Sequence, residues 1–185
     1  MKFLIVVDMQ NDFIDGSLGT EEAQAIVPRV IVKIVNFDGM VLATRDTHGE
    51  NYEETLEGHK LPVKHCIKGT EGWEISKEIR GLLMAEPIDK AGFGSVELCR
   101  ILKQFHKEEE PIESITLIGL CTDICVIANA MMLKSFLPDV PIIVDASCCA
   151  GVNPLRHQQA LGAMRACQID VINDYEANRA PGEAY

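Results

Sequence analysis

Three polar side chains of this sequence could act together in one reaction. Asp8, Lys90 and Cys125 each lie at, or shortly after, the end of an apolar run typical of a β-strand. A carboxylate can take the proton of a thiol and return it to a leaving group, while an ammonium favours the charged forms. Each residue alone has an ordinary explanation, as a turn residue, a surface lysine or a buried cysteine. Together they form a chemically sensible set for nucleophilic catalysis, although no local motif joins them.

Cys125 lies near the start of a predicted helix. The run 115–118 is typical of a buried strand, Gly119 interrupts it, and Thr122 or Asp123 could cap the helix that follows. With Thr122 as the cap, the thiol would lie in the first helical turn, where the helix dipole lowers a thiol pKa. We therefore expect a reactive thiolate at Cys125 rather than a cysteine that only packs.

A second set of residues has the side chains of a metal site. Asp46 and His48 are alternate residues at a predicted strand end, so both can face one pocket, and His65 ends the long stretch that follows. One carboxylate and two imidazoles are used by catalytic zinc, manganese or iron sites. Each histidine alone is more often an exposed loop residue. The candidates for a fourth ligand are Glu53, Glu54, Glu57 and His59.

Strands and helices alternate along the chain that positions these residues. Apolar runs predict strands over residues 3–7, 41–44, 87–90, 115–118, 141–145 and 170–172. Helical spacing predicts helices over residues 21–37, 73–84, 95–105 and 157–167, and after residue 122. This rhythm indicates an α/β fold with a doubly wound, Rossmann-like, mostly parallel sheet and helices on both faces. The carboxyl ends of such strands line one edge, where the three polar residues could meet.

The composition narrows the class of protein. The chain has 185 residues, a formal net charge of −11 and 47% hydrophobic residues, which fits one globular domain over residues 1–185. The acidity argues against nucleic acid or an anionic membrane as a partner, since both bind basic surfaces. The first apolar run is too short to span a membrane, and no cleavage pattern follows it. Seven cysteines without a C-x-x-C pair indicate reduced thiols, so we expect a cytoplasmic protein.

Five segments, in this order, resemble the isochorismatase-like cysteine hydrolases, and among these most of all the nicotinamidases. The segments are Val7–Phe13, Arg45–His48, Pro62–Cys66, Lys90–Ser95 and Gly119–Val126. The first and the last are the most specific, and the similarity extends over nearly the whole chain. The resemblance implies hydrolysis of a small amide through a thioester, with nicotinamide as the first candidate, which would place the protein in NAD metabolism.

The resemblance also assigns roles to residues of the proposed reaction. It implies a catalytic triad of Asp8, Lys90 and Cys125. It implies a cis peptide between Leu120 and Cys121, and an oxyanion hole formed by the backbone N–H groups of Cys121 and Cys125. Two N–H donors aimed at a developing oxyanion are among the larger contributions to catalysis.

The metal and the pocket follow from the same resemblance. It implies a divalent metal, zinc first with manganese or iron as alternatives, held by Asp46, His48 and His65. Glu57 is the best match for a further ligand, and Phe13 is an aromatic wall of the substrate pocket. In nicotinamidases the metal holds the pyridine nitrogen, so its main task is orientation. Family members are often homo-oligomers, which we expect here too.

One departure from the nicotinamidase pattern leaves the substrate open. Many nicotinamidases have a tryptophan just before the second metal histidine, and this chain has Leu61-Pro62 there, with Trp73 too far along to replace it. A related hydrolase acting on another small amide, a ureido compound or a vinyl ether is the alternative. A non-catalytic binding protein of the same fold is a third hypothesis, although no triad residue is lost.

Overall fold

The computed structural model describes residues 1–108 and 110–175, and these form six parallel β-strands flanked by helices. The strands, β1 to β6 in chain order, are Lys2–Val7, Met40–Asp46, Ile88–Lys90, Ser114–Leu120, Ile142–Ala150 and Asp170–Ile172. Their order across the sheet is β3-β2-β1-β4-β5-β6. The chain winds outward from β1 to one edge and then from β4 to the other, so the predicted doubly wound α/β fold is confirmed.

Helices cover both faces of the sheet. They are, as α1 to α7 in chain order, Asn11–Ile14, Glu21–Val35, Leu56–Lys60, Lys77–Arg80, Val96–Glu108, Ile127–Phe136 and Pro154–Ala166. A 3-10 turn, Tyr52–Glu54, precedes α3, and a wide π-type turn, Thr122–Val126, precedes α6. None of the described helices combines the length and the apolar character needed to cross a membrane.

The two faces of β1 show why its sequence is continuously apolar. Phe3, Ile5 and Val7 belong to one buried cluster with residues of α5, α6 and α7. Leu4 and Val6 belong to a second cluster with residues of α1, α2 and α4. Because successive side chains of a strand point to opposite faces, a strand covered on both sides needs apolar residues at every position.

Two of the three longest helices, α2 and α7, begin after residues that capping rules favour. Thr20 Oγ1 accepts a hydrogen bond from Ala23 N (3.0 Å) at the start of α2. Asn153 Oδ1 accepts one from Arg156 N (2.9 Å) at the start of α7, and Pro154 occupies the first helical position, where no N–H is needed.

The predicted helix over residues 73–84 is wrong except for α4. Residues 74–76 instead run beside the segment that follows β1. Two backbone hydrogen bonds join them: Asn11 N to Glu74 O (3.0 Å) and Ser76 N to Met9 O (2.9 Å). This pairing holds the backbone extended as far as Ser76, so a helix begins only at Lys77. Apolar spacing could not reveal a contact between segments so distant in sequence.

Two other boundaries differ from the predictions. The stretch over residues 49–72, for which no helix or strand was predicted, contains the 3-10 turn and α3, which Thr55 caps by accepting from Gly58 N (3.0 Å). Strand β5 continues to Ala150 instead of ending at Asp145, because its last residues pair with Gly119 and Leu120 after a shift in register. The predicted single domain over residues 1–185 includes residues 109 and 176–185, which lie outside the described residues.

Candidate active site

The candidate site lies where the strand order reverses, between the carboxyl ends of β1 and β4. Helices leave these neighbouring strands toward opposite faces, and the crevice between them is where open α/β sheets bind ligands. Gly119 pairs with Val7 and has a φ of 114°. A Cβ at this position would overlap Val7 O, so only glycine permits the close approach of the two strands. Asp8 and the turn that carries Cys125 are thereby brought to the same crevice.

Lys90 is the centre of the polar cluster in this crevice. Its Nζ lies 2.7 Å from Asp8 Oδ2, 2.9 Å from Asp46 Oδ1 and 3.5 Å from Cys125 Sγ. The ammonium also donates to Gly92 O at 3.0 Å. All three predicted catalytic side chains are buried, with Asp8 0%, Lys90 5% and Cys125 4% exposed. The structure therefore brings together the three residues that the sequence placed at separate strand ends.

The two oxygens of Asp8 have different surroundings. Oδ1 accepts a hydrogen bond from Thr44 Oγ1 at 2.7 Å. Oδ2 is fully buried and forms an ion pair with the Lys90 ammonium, 2.7 Å away. Burial raises the pKa of Asp8, and the positive charge of Lys90 only partly opposes this. A carboxylate whose pKa is raised is suited to take a proton from a neighbouring group.

The expected low pKa of Cys125 is wrong. Burial, followed by the negative charge of Asp8, raises the pKa of the Cys125 thiol well above its usual value, although Lys90 lowers it. Cys125 is the fourth residue of the π-type turn, and Thr122 bonds to His157 Nδ1 through its hydroxyl (2.8 Å) instead of capping a helix. The resting group is a thiol, which needs a base before it can act as a nucleophile.

Carboxylates determine the protonation of Lys90. Burial alone would lower the pKa of Lys90, but the negative charges around it, with Asp8 first, raise it. For Asp46, burial acts in the opposite direction and raises the pKa. The hydrogen bond with His48 and the charge of Lys90 outweigh burial and hold the pKa of Asp46 below its usual range. The cluster is therefore a buried ammonium shared by the Asp8 and Asp46 carboxyl groups.

The π-type turn folds the chain after β4 back on itself. The peptide between Leu120 and Cys121 is cis. Cys121 O accepts hydrogen bonds from Ile124 N (3.1 Å) and Val126 N (3.0 Å). The backbone of Cys121 and that of Cys125, which were assigned to an oxyanion hole, thus belong to one compact turn.

Asn129 ties this turn to the segment that carries Lys90, and the sequence analysis missed it. Its Nδ2 donates to Cys125 O (2.8 Å), while its Oδ1 accepts from Ser95 N (2.9 Å). The side chain is fully buried in α6. The available signal was an amide among apolar residues, four positions after the candidate nucleophile.

The predicted metal ligands also come together. Asp46, His48, Glu57 and His65 each offer one ligand atom, and these atoms all lie within 4.8 Å of one another. Asp46 Oδ2 is 2.9 Å from His48 Nε2 and 3.9 Å from His65 Nε2. Glu57 Oε1 is 3.8 Å and 3.7 Å from the same two nitrogens. Glu53, an alternative candidate, instead pairs with Lys64 at 3.1 Å.

The donor set suits a divalent metal such as zinc. Two imidazole nitrogens and two carboxylate oxygens are a tetrahedral ligand set that zinc accepts. His65 Nδ1 lies 2.8 Å from Val63 O. A proton on Nδ1 donated to that carbonyl leaves Nε2 with a free lone pair, which is the tautomer that metal binding requires. The four residues therefore fit the metal that the sequence predicted.

A cavity of about 380 Å³ opens onto both clusters. Asp46, Glu57, His65, Cys121 and Cys125 form its polar wall. Its remaining lining residues are Phe13, Leu18, Leu56, Lys60, Leu61, Phe93 and Ile124.

The aromatic residues divide between this cavity and its surroundings. Phe13 lies in the cavity wall, with its ring centroid 5.6 Å from that of His65. Trp73 is not among the lining residues, and its Nε1 donates to Thr47 Oγ1 at 2.9 Å. Leu61 therefore contributes an aliphatic surface where many nicotinamidases place a tryptophan.

Tyr52 is a further residue that the sequence analysis missed. Its ring centroid lies 4.8 Å from that of His48 and 5.0 Å from that of His65. Its hydroxyl donates to Leu61 O at 2.9 Å. Tyr52 thus supports both imidazoles and links them to the cavity wall. In the sequence, Tyr52 stands out only as a tyrosine within a stretch rich in acidic residues.

Comparison with known proteins places the chain among enzymes of one family. An uncharacterized isochorismatase family protein of Bacillus subtilis is 30% identical over 177 residues, which cover 86% of this chain and 92% of that protein. The nicotinamidase of Schizosaccharomyces pombe is 26% identical over an alignment of 211 positions, which covers 92% of each chain. A pyrazinamidase of Pyrococcus horikoshii, solved in complex with zinc, has a TM-score of 0.77 at 26% identity, over 92% of this chain and 98% of that one.

A match to a family profile shows how much of the chain belongs to this family. The profile described as the isochorismatase domain matches residues 2–174, which include both polar clusters and every strand of the sheet. The chain therefore belongs to the isochorismatase domain family.

Proposed function

We propose that this protein is a cysteine-dependent hydrolase that converts a small amide to its acid and ammonia, with nicotinamide as the first candidate. The observation that carries the proposal is the position of Lys90 Nζ, 2.7 Å from Asp8 and 3.5 Å from Cys125 Sγ, beside the cavity. Relatives named nicotinamidase or nicotinamidase/pyrazinamidase match over more than nine-tenths of the chain, which supports this class of substrate.

The first step makes the nucleophile. Asp8, whose pKa is raised by burial, takes the proton from Cys125 Sγ. The thiolate attacks the carbonyl carbon of the amide, forming a C–S bond while the C=O electron pair moves to the oxygen. The N–H groups of Cys121 and Cys125 would stabilise this oxyanion, and one such donor contributes about 3 kcal/mol in comparable enzymes.

The second step releases ammonia. Asp8 donates its proton to the amide nitrogen, the C–N bond breaks and a thioester remains on Cys125. A water then gives a proton to Asp8 and attacks the thioester, after which the C–S bond breaks and Asp8 returns the proton to the sulfur. Lys90 remains an ammonium throughout and stabilises whichever of its two neighbours, Asp8 or Cys125, is charged.

The second cluster would orient the amide. Asp46, His48, Glu57 and His65 would hold a divalent metal, zinc first, with manganese or iron as alternatives. When bound, the metal supplies a Lewis acid for a substrate lone pair, which fixes the position of the substrate beside Cys125. Phe13 would form the aromatic wall for the body of the substrate. A homo-oligomer and a cytoplasmic location stay predictions.

An ammonia-release assay over matched amides tests the proposal. The reduced protein is assayed with nicotinamide, pyrazinamide and benzamide, with and without chelator and with zinc added back. Benzamide has the shape of nicotinamide without the ring nitrogen, so we expect nicotinamide and pyrazinamide to be hydrolysed and benzamide to be poor. Release of no ammonia from any amide would overturn the proposal. Turnover of other amides, unaffected by chelation, would favour the alternative metal-independent hydrolase.

A covalent probe separates enzyme from binding protein. An electrophilic nicotinamide analogue should add to Cys125, as seen by mass spectrometry of the intact protein and its peptides. Since the Cys125 thiol must first be deprotonated by Asp8, the adduct should form far more slowly in Asp8→Asn. Absence of any adduct in the wild type would support the non-catalytic hypothesis.

A further inference from the structure

The short segment after Asp8 contains two hydrogen-bonded polar side chains, Gln10 and Asp12, that have no role in the proposed reaction. Gln10 is fully buried, and Asp12 follows two positions later. Neither lines the cavity. Between them, Asn11 points elsewhere and donates from Nδ2 to Glu71 O at 2.8 Å. The side chains of residues 10 and 12 therefore contact different parts of the protein from the side chain of residue 11.

Gln10 brackets the backbone of Asp46. Its Oε1 accepts from Asp46 N at 2.7 Å, and its Nε2 donates to Asp46 O at 2.8 Å. The same Nε2 donates to Trp73 O at 2.8 Å. One side chain therefore satisfies both peptide groups of Asp46 beyond the point where β2 pairs with β1. Asp46 is also the residue whose carboxylate contacts both Lys90 and His48.

Asp12 holds the backbone on the other side of the metal cluster. Its Oδ2 accepts from Cys66 N at 2.7 Å, and Cys66 directly follows His65. Cys66 has a φ of 47°, in the left-handed region that a residue with a side chain rarely adopts. The carbonyl of the same residue accepts from His48 N at 2.9 Å. Fixing the Cys66 peptide thus fixes the backbone of both histidines.

We propose that Gln10 and Asp12 are positioning residues that together set the spacing of the metal ligands. Gln10 places Asp46, whereas Asp12 places His48 and His65 through Cys66. The inference rests on the metal site of the proposed function. It explains why one three-residue stretch contacts two segments, at residues 46 and 66, that are 20 positions apart in sequence.

The consequence follows from what each substitution leaves behind. Gln10→Met keeps a similar volume but leaves the N–H and C=O of Asp46 and the C=O of Trp73 without this partner. Asp12→Ala removes the acceptor that holds Cys66, while Asp12→Asn keeps an oxygen in its place. Removing a group that orients a metal ligand lowers metal affinity about 10- to 100-fold in known metal sites.

Calorimetric titration of chelator-treated protein with zinc chloride tests the proposal. We expect Gln10→Met and Asp12→Ala to bind zinc about 10- to 100-fold more weakly than the wild type. Asp12→Asn should stay within a few-fold of the wild type, and Asn11→Ala is the matched control that should not change. Cobalt(II) provides a second readout, since its visible absorption bands report ligand geometry and should shift in Gln10→Met and Asp12→Ala only.

Each outcome decides. Wild-type affinity and an unchanged cobalt spectrum in both Gln10→Met and Asp12→Ala would overturn the proposal. A wild type that binds neither metal would overturn the metal site itself, which the ammonia-release assay can distinguish from loss of the proposed reaction. Circular dichroism melting checks that the variants fold. If Gln10→Met does not, the pair Asp12→Ala and Asp12→Asn decides alone, and equal affinities would contradict the inference.

Discussion

The two clusters of the site are held in place by different means. Asp8 and Lys90 lie at the ends of paired strands, and Cys125 lies in the turn that ends β4. Backbone pairing within the sheet fixes the positions of these ends. In the metal cluster, Asp46 also ends a paired strand. Glu57 and His65 instead come from the connection between β2 and β3, where hydrogen bonds such as those of Asp12 and Tyr52 hold the backbone.

Side-chain exposure distinguishes Glu57 from the other members of both clusters, since even His65, on the same connection, is only 2% exposed. The Asp8 side chain is completely buried, whereas that of Glu57 is 25% exposed at the rim of the cavity. A group fixed by the sheet can be changed only together with its neighbours, while a group on a connection can vary alone. In the proposed reaction, the residues that make and break bonds would therefore belong to the rigid part, and those that select the substrate to the part that can vary.

The largest expected effect comes from a substitution in the cluster that the sheet holds in place. Cys125→Ala should lower ammonia release at least about 10³-fold, because the thioester can no longer form. The substitution removes one buried sulfur, so the protein should still fold. Cys167→Ala, at an exposed cysteine, is the control and should keep full activity. A Cys125→Ala protein with more than a few per cent of the wild-type rate would contradict the covalent mechanism.

Substitution in the variable half should be milder. Glu57→Gln removes one carboxylate from the four converging ligands, so zinc affinity and kcat/KM should each fall about tenfold, the latter mainly through KM. Glu53→Gln, which alters a surface pair with Lys64, should change neither. Calorimetry and steady-state kinetics give the two values. Equal results for the two variants would remove Glu57 from the metal site.

A smaller effect tests how the sheet adjusts Asp8. The hydrogen bond from Thr44 lowers the pKa of Asp8, against the larger opposing effect of burial. Thr44→Val removes it, so the pKa of Asp8 should rise further. Because Asp8 must be unprotonated to act as the base, the acid limb of kcat/KM should move to higher pH. A pH profile that keeps its acid limb, or moves it to lower pH, would contradict this role.

The smallest effect separates a buried ion pair from a reactive one. Asp145 lies in β5 and pairs with Lys33 at 2.7 Å, outside the cavity. Burial raises the pKa of Asp145, but the hydrogen bonds from Lys33, Asn173 and Ser147 hold it below the usual 3.8. This stabilisation is present above the unfolded-state pKa and is lost as the pH falls through the lowered folded-state value.

Asp145→Asn should therefore reduce the free energy of unfolding by about 1 kcal/mol at neutral pH and flatten its decline in acid. Urea unfolding at several pH values measures this, with the exposed Asp170→Asn as the control. Ammonia release should be unchanged. Loss of activity without loss of stability would show that the two ion pairs are not as separate as the structure implies.

The sequence predicted the rigid part better than the variable part, for a physical reason. Runs such as 3–7 are apolar because both faces of the sheet are covered, so strand ends and the residues just after them can be read directly. Asp8, Lys90 and Cys125 were found in this way, and their roles stay predictions. Metal-ligand types identified Asp46, His48 and His65, while Glu57 needed the resemblance to a family.

The remainder depended on contacts between distant segments. The extended backbone at residues 74–76 follows from pairing with residues 9–11, which no local pattern encodes. The raised pKa of Cys125 follows from the depth of the crevice and from Asp8, whereas a helix start alone suggested the reverse. Gln10 looked like one polar residue in a turn, because its partners are backbone groups of another strand.

One hydrogen bond described above joins two points of the connection between β2 and β3. Tyr52 Oη donates to Leu61 O, and the chain between them contains Leu56 and Glu57, which also line the cavity. The bond closes this stretch into a small cassette with neighbouring ends. Because none of its residues pairs with β1 or β4, we expect that the same stretch of a relative of equal length could replace it without disturbing these strands. Under the proposed function, exchanging it would change which amide reaches Cys125.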